Sequence, residues 1–387
     1  MAHCNTIFHQ LLRLVDRHDF RKIEQDRFRP KRKCRTLSRW GQLVVMMFAQ
    51  ITGRSSLRDI VQQFEFHVAK LYHLGVDLVK RSTLADANSK RPAALFEALF
   101  QEHYAKCAAI APSKKFRFKN KLYSFDSTVV DLCLSLFPWA KFRTTKGGIK
   151  LHTLVDHDGY IPAFIQITTA KVADVTVARL LDLPAFSIVV VDRAYLDFAW
   201  LYKLTQKNIF FVTRMKRGIK TRVIKRDPIL LAKGLTSDHT IELTGPKGRQ
   251  CPVQLRRVGY RDEETGQHYV FVTNIVHLSA RTIADIYRER WKVELFFKWI
   301  KQNLKIKSFL GTSRNAVMTQ IWIAIITLLL LAYYKFRAKL GHSLSQILKL
   351  LQLNLFSRQN IWHLFDPGPT EYMTPNGNQL FMNFAHL

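Results

Sequence analysis

The run Ser187-Ile-Val-Val-Val-Asp192 constrains the fold of this chain more than any other feature. An unbroken β-branched stretch without polar alternation is expected of a strand buried on both faces, which places the chain in the α/β class. The run ends in a carboxylate, and carboxylates at the carboxyl ends of sheet strands commonly line sites in such folds.

A second segment, Lys121-Leu-Tyr-Ser-Phe-Asp126-Ser-Thr-Val-Val130, is β-rich with an aspartate in its middle. Aspartate is disfavoured inside strands and costly to bury unpaired, so the position asks for a reason beyond packing. For either aspartate alone, a cap or a turn is the competing reading. Between them, Gly147–Val155 and Ile161–Ile167 flank the turn Asp156-His-Asp-Gly-Tyr160, a hairpin signal. A short helix is expected near Asp174 to Leu183.

Tyr287, Arg290, Glu294 and Lys301 follow in the spacing Y-x2-R-x3-E-x6-K, on what the sequence presents as one helix. Positions seven apart drift by only about 20° on a helix, so the four groups share a stripe. Val293, Phe297, Ile300 and Leu304 form an apolar stripe beside it that would anchor the helix to a core. A carboxylate flanked by two cations and a phenol suits a metal-and-phosphate site. The bland alternative is a solvated helix face on which Arg290, Glu294, Lys298 and Lys301 form i,i+4 pairs. Trp291 is expected in the core, with stacking on a displaced base as the alternative.

About a hundred residues separate Asp192 from Glu294, too many for a plain loop in a compact domain. From about 209 to 274, Phe210–Thr213, Pro252–Leu255 and Tyr269–Thr273 predict a β-rich insertion. Residues 203 to 257 hold fourteen Lys or Arg against three acids, so the insertion is also a candidate DNA-facing surface.

The order Asp126, Asp192, Glu294 resembles that of the DDE insertion-sequence transposases of the Y-R-E-K group. The phrases Asp126-Ser-Thr, Lys150-Leu-His152, Asp192-Arg-Ala-Tyr195 and Tyr287-Arg-Glu-Arg-Trp-Lys-Val-Glu294-Leu-Phe-Phe-Lys298 carry the likeness. Ala194 replaces the usual glycine of Asp-Arg-Gly-Tyr, and Ala173-Asp174 replaces the usual His-Asp. Neither change removes a carboxylate. The resemblance implies a ribonuclease-H-like catalytic domain carrying a β-rich insertion. It also implies catalytic and metal-binding roles for Asp126, Asp192 and Glu294. Hard cations prefer carboxylate oxygens, so two Mg²⁺ ions are expected, with Mn²⁺ able to substitute. The expected activity is cleavage of transposon ends, hairpin formation and strand transfer into target DNA. Tyr287, Arg290 and Lys301 would clamp phosphates, with Lys298 nearby on the DNA side. The partners implied are double-stranded DNA, both inverted-repeat ends and target, and a second copy of the chain in a homodimeric DNA complex.

Composition agrees with a polyanion partner: 60 Lys plus Arg against 29 Asp plus Glu give a net charge of +31. With 48% hydrophobic residues over 387 positions, the chain can bury a real core and form two or three domains. Residues 1–118 have helical patterns and form an all-helical, basic, candidate DNA-binding region, 119–335 the catalytic domain, and 336–387 a helical tail. Arg27, Arg29, Lys31, Arg32, Lys33 and Arg35 form the densest cationic run, suited to DNA phosphates or to a solvated loop. Segments around Leu57–Phe66 and Ser82–Ala87 could build a helix-turn-helix, without a signature sharp enough to name recognition residues. Five dispersed cysteines with no Cys-x2-Cys pair fit free thiols in a bacterial cytosol. Asn315–Tyr334 carries no charge and is long enough to span a bilayer, but Asn315, Thr319, Gln320 and Thr327 dilute it, and a buried core helix is expected instead. Two rival functions are a metal nuclease that cuts without joining and a DNA-binding repressor that does neither.

Overall fold

Ile188, Val189, Val190 and Val191 are all fully buried, two toward each face of a central sheet. A computed structural model describes residues 5–365 except 31–33, 35, 115, 142 and 230–233. Its strands are β1 (Leu122–Leu132), β2 (Gly147–Asp156), β3 (Ile161–Thr169), β4 (Ile188–Val191), β5 (Phe210–Arg214), β6 (Thr221–Arg226), β7 (Leu235–Leu243), β8 (Leu255–Arg261) and β9 (His268–Thr273). They form one nine-stranded sheet in the order β3-β2-β1-β4-β5-β9-β8-β7-β6.

β1, β4 and β5 run parallel, whereas β2 and β3 return antiparallel at one edge. The β2–β3 loop turns through Gly159 at φ +72°, where a Cβ would stand 2.6 Å from the Phe336 ring. Only glycine meets both demands. Five strands in this order and these directions fit a ribonuclease-H-like transposase fold. β5 pairs in parallel with β4 on one side and antiparallel with β9 on the other. Strands β6–β9 form an antiparallel meander that pairs with β5 through β9 and extends the same sheet.

Each face has its own core. The helix Phe198–Gln206 packs with Tyr123, Phe125, Val189, Val191 and Tyr195 on one side. Leu122, Ile188, Val190 and Val212 meet Ile283, Ile286 and Tyr287 of the helix Ala280–Glu289 on the other. The helices between residues 7 and 108 share a third core with the helices Trp291–Asn303, Arg314–Arg337, Leu344–Asn354 and Ile361–Phe365 and with side chains of β1–β3.

The helix Arg314–Arg337 is the axis of that core. The polar residues that dilute its apolar run are mostly bonded to protein: Asn315 Nδ2 donates to Asn88 O, Gln320 Nε2 donates to Lys305 O and Ser308 O, and Thr327 Oγ1 donates to Ile323 O. Thr319 Oγ1 is the exception, buried without a partner. The window long enough for a membrane span is 89% buried in the protein. The expected helix-turn-helix is absent from the described residues: Leu57–Phe66 and Arg81–Lys90 are separated by a further helix, Val68–Leu71, and a 3-10 turn. That motif requires a turn of about 3–4 residues.

Candidate active site

Parallel pairing of β1 with β4 sets Phe125 opposite Val191, so Asp126 and Asp192 occupy successive positions on neighbouring strands. Asp126 Oδ1 accepts from the Ser127 N–H at 2.8 Å, and its Oδ2 accepts from Arg290 Nη1 at 3.1 Å. Burial raises the Asp126 carboxyl to about 6; the Ser127 N–H and Arg290 oppose that rise, while Asp192 and Glu294 add to it. The strand tolerates this aspartate because both oxygens are bonded.

The tetrad lies on two helices rather than one. Ala280–Glu289 and Trp291–Asn303 meet at Arg290, whose φ of −53° and ψ of −32° remain helical. The hydrogen bonds tighten there to a three-residue span, from Arg290 N to Tyr287 O and from Val293 N to Arg290 O, both 3.0 Å. All four residues still face the carboxylates or their strand. The Tyr287 hydroxyl donates to Asp192 Oδ1 at 3.3 Å. Arg290 Nη2 donates to Glu294 Oε1 at 2.7 Å, so one guanidinium bridges Glu294 and Asp126. Lys301 Nζ donates to Thr128 Oγ1 at 2.7 Å and Val129 O at 2.9 Å, and burial followed by Lys307 lowers its pKa. Val293, Phe297, Ile300 and Leu304 are buried as the apolar stripe requires. Lys298 is exposed. Trp291 is 57% exposed and does not belong to the core.

Among the described residues no three carboxylate, imidazole or thiol groups already surround a common point. Arg290 holds the space between two of the acids. The donor set nonetheless fits a hard divalent cation, since it consists of carboxylate oxygens alone and places a desolvated aspartate within the field of two further acids.

Glu289, next to Arg290, was invisible as a site residue in the sequence because its partners lie 129 or more positions away. Its Oε2 accepts from Lys114 Nζ at 2.5 Å and from the Tyr160 hydroxyl at 3.5 Å. His157 Nδ1 stands 3.7 Å away, an ion-pair distance rather than a hydrogen bond. His157 Nε2 in turn meets Ser124 Oγ at 2.7 Å, tying the helix joint to β1. His157 and then Lys114 hold the Glu289 carboxyl at about 2, below its ordinary 4.5. A folded pKa below the unfolded one contributes stability that is present above about pH 4.5 and lost as pH falls toward 2. Glu289→Gln should therefore lower the urea midpoint at pH 6 by an amount equivalent to about 1–2 kcal/mol, allowing for solvent screening, and by much less at pH 3. A gap that is the same at both pH values would remove the ion pair as its cause.

Of the candidate phosphate contacts at the amino end, the two that the structure describes, Arg27 and Arg29, are not brought to this site. Arg27 is exposed beside Asp19, Asp26 and Glu102 in a groove of about 400 Å³ between the helices Arg17–Arg27 and Ala94–Ala108, and Arg29 is exposed. Lys31, Arg32, Lys33 and Arg35 lie outside the described residues. In the insertion, β6 is the free edge of the sheet and exposes Arg222, Lys225 and Arg226. Cys34, Cys107, Cys133 and Cys251 are free thiols.

Comparison with known proteins agrees with this geometry. Residues 117–330 match a family described as "Transposase DDE domain", and residues 3–77 match a domain of unknown function, DUF4372. The chain is 31% identical over 313 residues to "Putative transposase y4zB" of Sinorhizobium fredii, covering 79% of this chain and 86% of that protein. It is 31% identical over 291 residues to "Probable transposase for insertion sequence element IS5377" of Geobacillus stearothermophilus, covering 72% and 76%. A cryo-EM structure of the piggyBac transposase synaptic complex with hairpin DNA superposes at a TM-score of 0.47 with 11% identity, over 94% of this chain and 81% of that one.

Proposed function

Since this chain belongs to the DDE transposases of insertion sequences, a family of polynucleotidyl transferases acting on DNA, we propose that it is of the Y-R-E-K type and cuts and joins transposon ends through a DNA hairpin. The observation that carries this reading is the pairing of β1 with β4, which sets Asp126 beside Asp192 while Arg290 holds Glu294 against Asp126.

In this reading Asp126, Asp192 and Glu294 would hold divalent metal, with two Mg²⁺ ions as the preferred complement. Bound there, the metal supplies charge neutralisation and oxygen activation for in-line exchange at phosphorus. Water attacks the phosphodiester at the transposon end, and the P–O3′ bond breaks to free a 3′-OH. That hydroxyl attacks the opposite strand, closing a hairpin and expelling the flanking 3′-OH. Water reopens the hairpin, and the restored 3′-OH attacks target DNA. Each step exchanges one P–O bond for another and needs no co-reactant besides water.

The chain's own side chains orient the DNA. Arg290 offers a planar fork to phosphate, and Lys301, now donating to β1, supplies a point charge. Tyr287 keeps Asp192 in place. Exposed Lys298, Arg27 and Arg29, together with Lys31, Arg32, Lys33 and Arg35, add phosphate contacts that need not lie at the catalytic centre. Residues 1–118 act as the DNA-binding region, with 119–335 the catalytic part and 336–387 a tail. Two copies bring two ends together, in the cytoplasm.

The test is incubation of the full chain with Mg²⁺ and a supercoiled plasmid carrying the element's inverted-repeat ends, followed by denaturing electrophoresis. Excised ends that migrate as covalently closed double-length strands, and later joined products, are expected. Joined products that never pass through a closed end would overturn the hairpin route. Cutting without joining would favour a nuclease.

A further inference from the structure

Three of the phrases that carry the family likeness supply Ser127, Lys150 with His152, and Tyr195, none of which the reaction above uses. They meet at Asp174, on the face of β1 opposite Arg290. Strand alternation puts Asp126 on one face and Ser127 on the other. Ser127 is in register with His152, and Val129 with Lys150, so the partners stand on the same side of β1 and β2. There Asp174 Oδ1 accepts from Ser127 Oγ at 2.7 Å and from Lys150 Nζ at 3.2 Å. The buried His152 Nδ1, which has no hydrogen-bond partner, lies 3.4 Å from the same oxygen. Lys150 is itself fixed by donating to Val172 O at 3.1 Å, and His152 Nε2 meets Thr168 Oγ1 at 3.0 Å. The Tyr195 hydroxyl is buried alongside, within the field of Asp126, Asp174 and Asp192.

Ser127 is the link between this anchor and the site. Its N–H holds Asp126 Oδ1 at 2.8 Å while its hydroxyl is held by Asp174. Any rotation of the peptide at Ser127 turns the Asp126 carboxylate with it. We propose that Asp174 is a positioning residue for Asp126, acting through Ser127. Groups of this kind, one step removed from a ligand carboxylate, set its orientation without touching the substrate. The inference rests on the ligand role proposed for Asp126.

The test uses the full chain with end DNA and four variants: Asp174→Asn, Ser127→Ala, their double, and Ser127→Thr. Asp174→Asn and Ser127→Ala should each slow nicking by about 10–100-fold, weaken Mn²⁺ binding measured by the free-ion electron paramagnetic resonance signal by about tenfold, and leave end-DNA Kd within about twofold. The double should be no slower than the slower single, because both break one link. Ser127→Thr keeps the hydroxyl and should stay within about threefold of the parent rate. Losses that multiply in the double, or Ser127→Ala cutting at the parental rate, would overturn the proposal. If Asp174→Asn does not fold, Ser127→Ala against Ser127→Thr decides the matter. Asp126→Asn run in parallel separates the two levels. If it still cuts, the reading of the site fails. If it is dead while Ser127→Ala and Asp174→Asn are fully active, only the positioning role fails.

Discussion

Asp126→Asn, Asp192→Asn and Glu294→Gln should each abolish both nicking and joining, with end binding preserved. Each carboxamide keeps the shape of its parent but loses the charge that a hard cation needs. A loss on the order of 10³-fold or more, about 4 kcal/mol of transition-state stabilisation, is expected at each position. Asp126→Asn also relieves the repulsion that Asp192 and Glu294 exert on a buried carboxylate, so folding should not suffer. The measurement is nicking of labelled end DNA alongside a mobility-shift titration. A variant that cuts near the parental rate removes its residue from the site, and one that loses end binding in step with cutting has a structural rather than a chemical defect.

Much of this site was readable from the chain because its signals are local. The β-branched run at 188–191 could only be a strand buried on both faces, and the aspartate in the middle of β1 had no packing reason to be there. The hairpin turn at 156–160 and the buried helix at 314–337 follow from composition and length in the same way. The core position expected of Trp291 is overturned: it lies two residues, about 200°, from Val293, opposite the apolar stripe that Val293 begins, and is exposed. What escaped is non-local. Seven-residue spacing is satisfied equally by a straight helix and by one that tightens at Arg290, since the change is a slip of single hydrogen bonds. Strand propensity in β6–β9 cannot say that they extend the catalytic sheet rather than close on themselves. The helix Arg39–Thr52, apolar almost all round, had to be buried, but nothing in it names the helix Arg314–Arg337 as its partner. Glu289 and His157 are unremarkable singly and acquire meaning only when β2 ends beside the helix joint.

Replacing Arg290 by alanine should lower hairpin formation and strand joining by about 10²-fold while leaving metal binding undiminished. Arg290 is the cation between Asp126 and Glu294, and its Nε is buried with no hydrogen-bond partner among the described residues. Each terminal nitrogen of the guanidinium gives one N–H to a carboxylate and keeps a second for a phosphate oxygen. Its removal takes away that fork and also the positive charge competing with a metal for two of the acids, so affinity for the ion should hold or rise. Glu294→Gln must do the reverse and weaken the ion. Arg290→Lys keeps the charge but neither the planarity nor the bidentate reach across both carboxylates, so it should recover little of the joining rate. The comparison is Mn²⁺ binding and strand joining measured on all three variants. Equal loss of metal affinity in Arg290→Ala and Glu294→Gln would mean that Arg290 serves the metal site itself, and full recovery by Arg290→Lys would mean that charge alone, not the fork, is what the DNA requires.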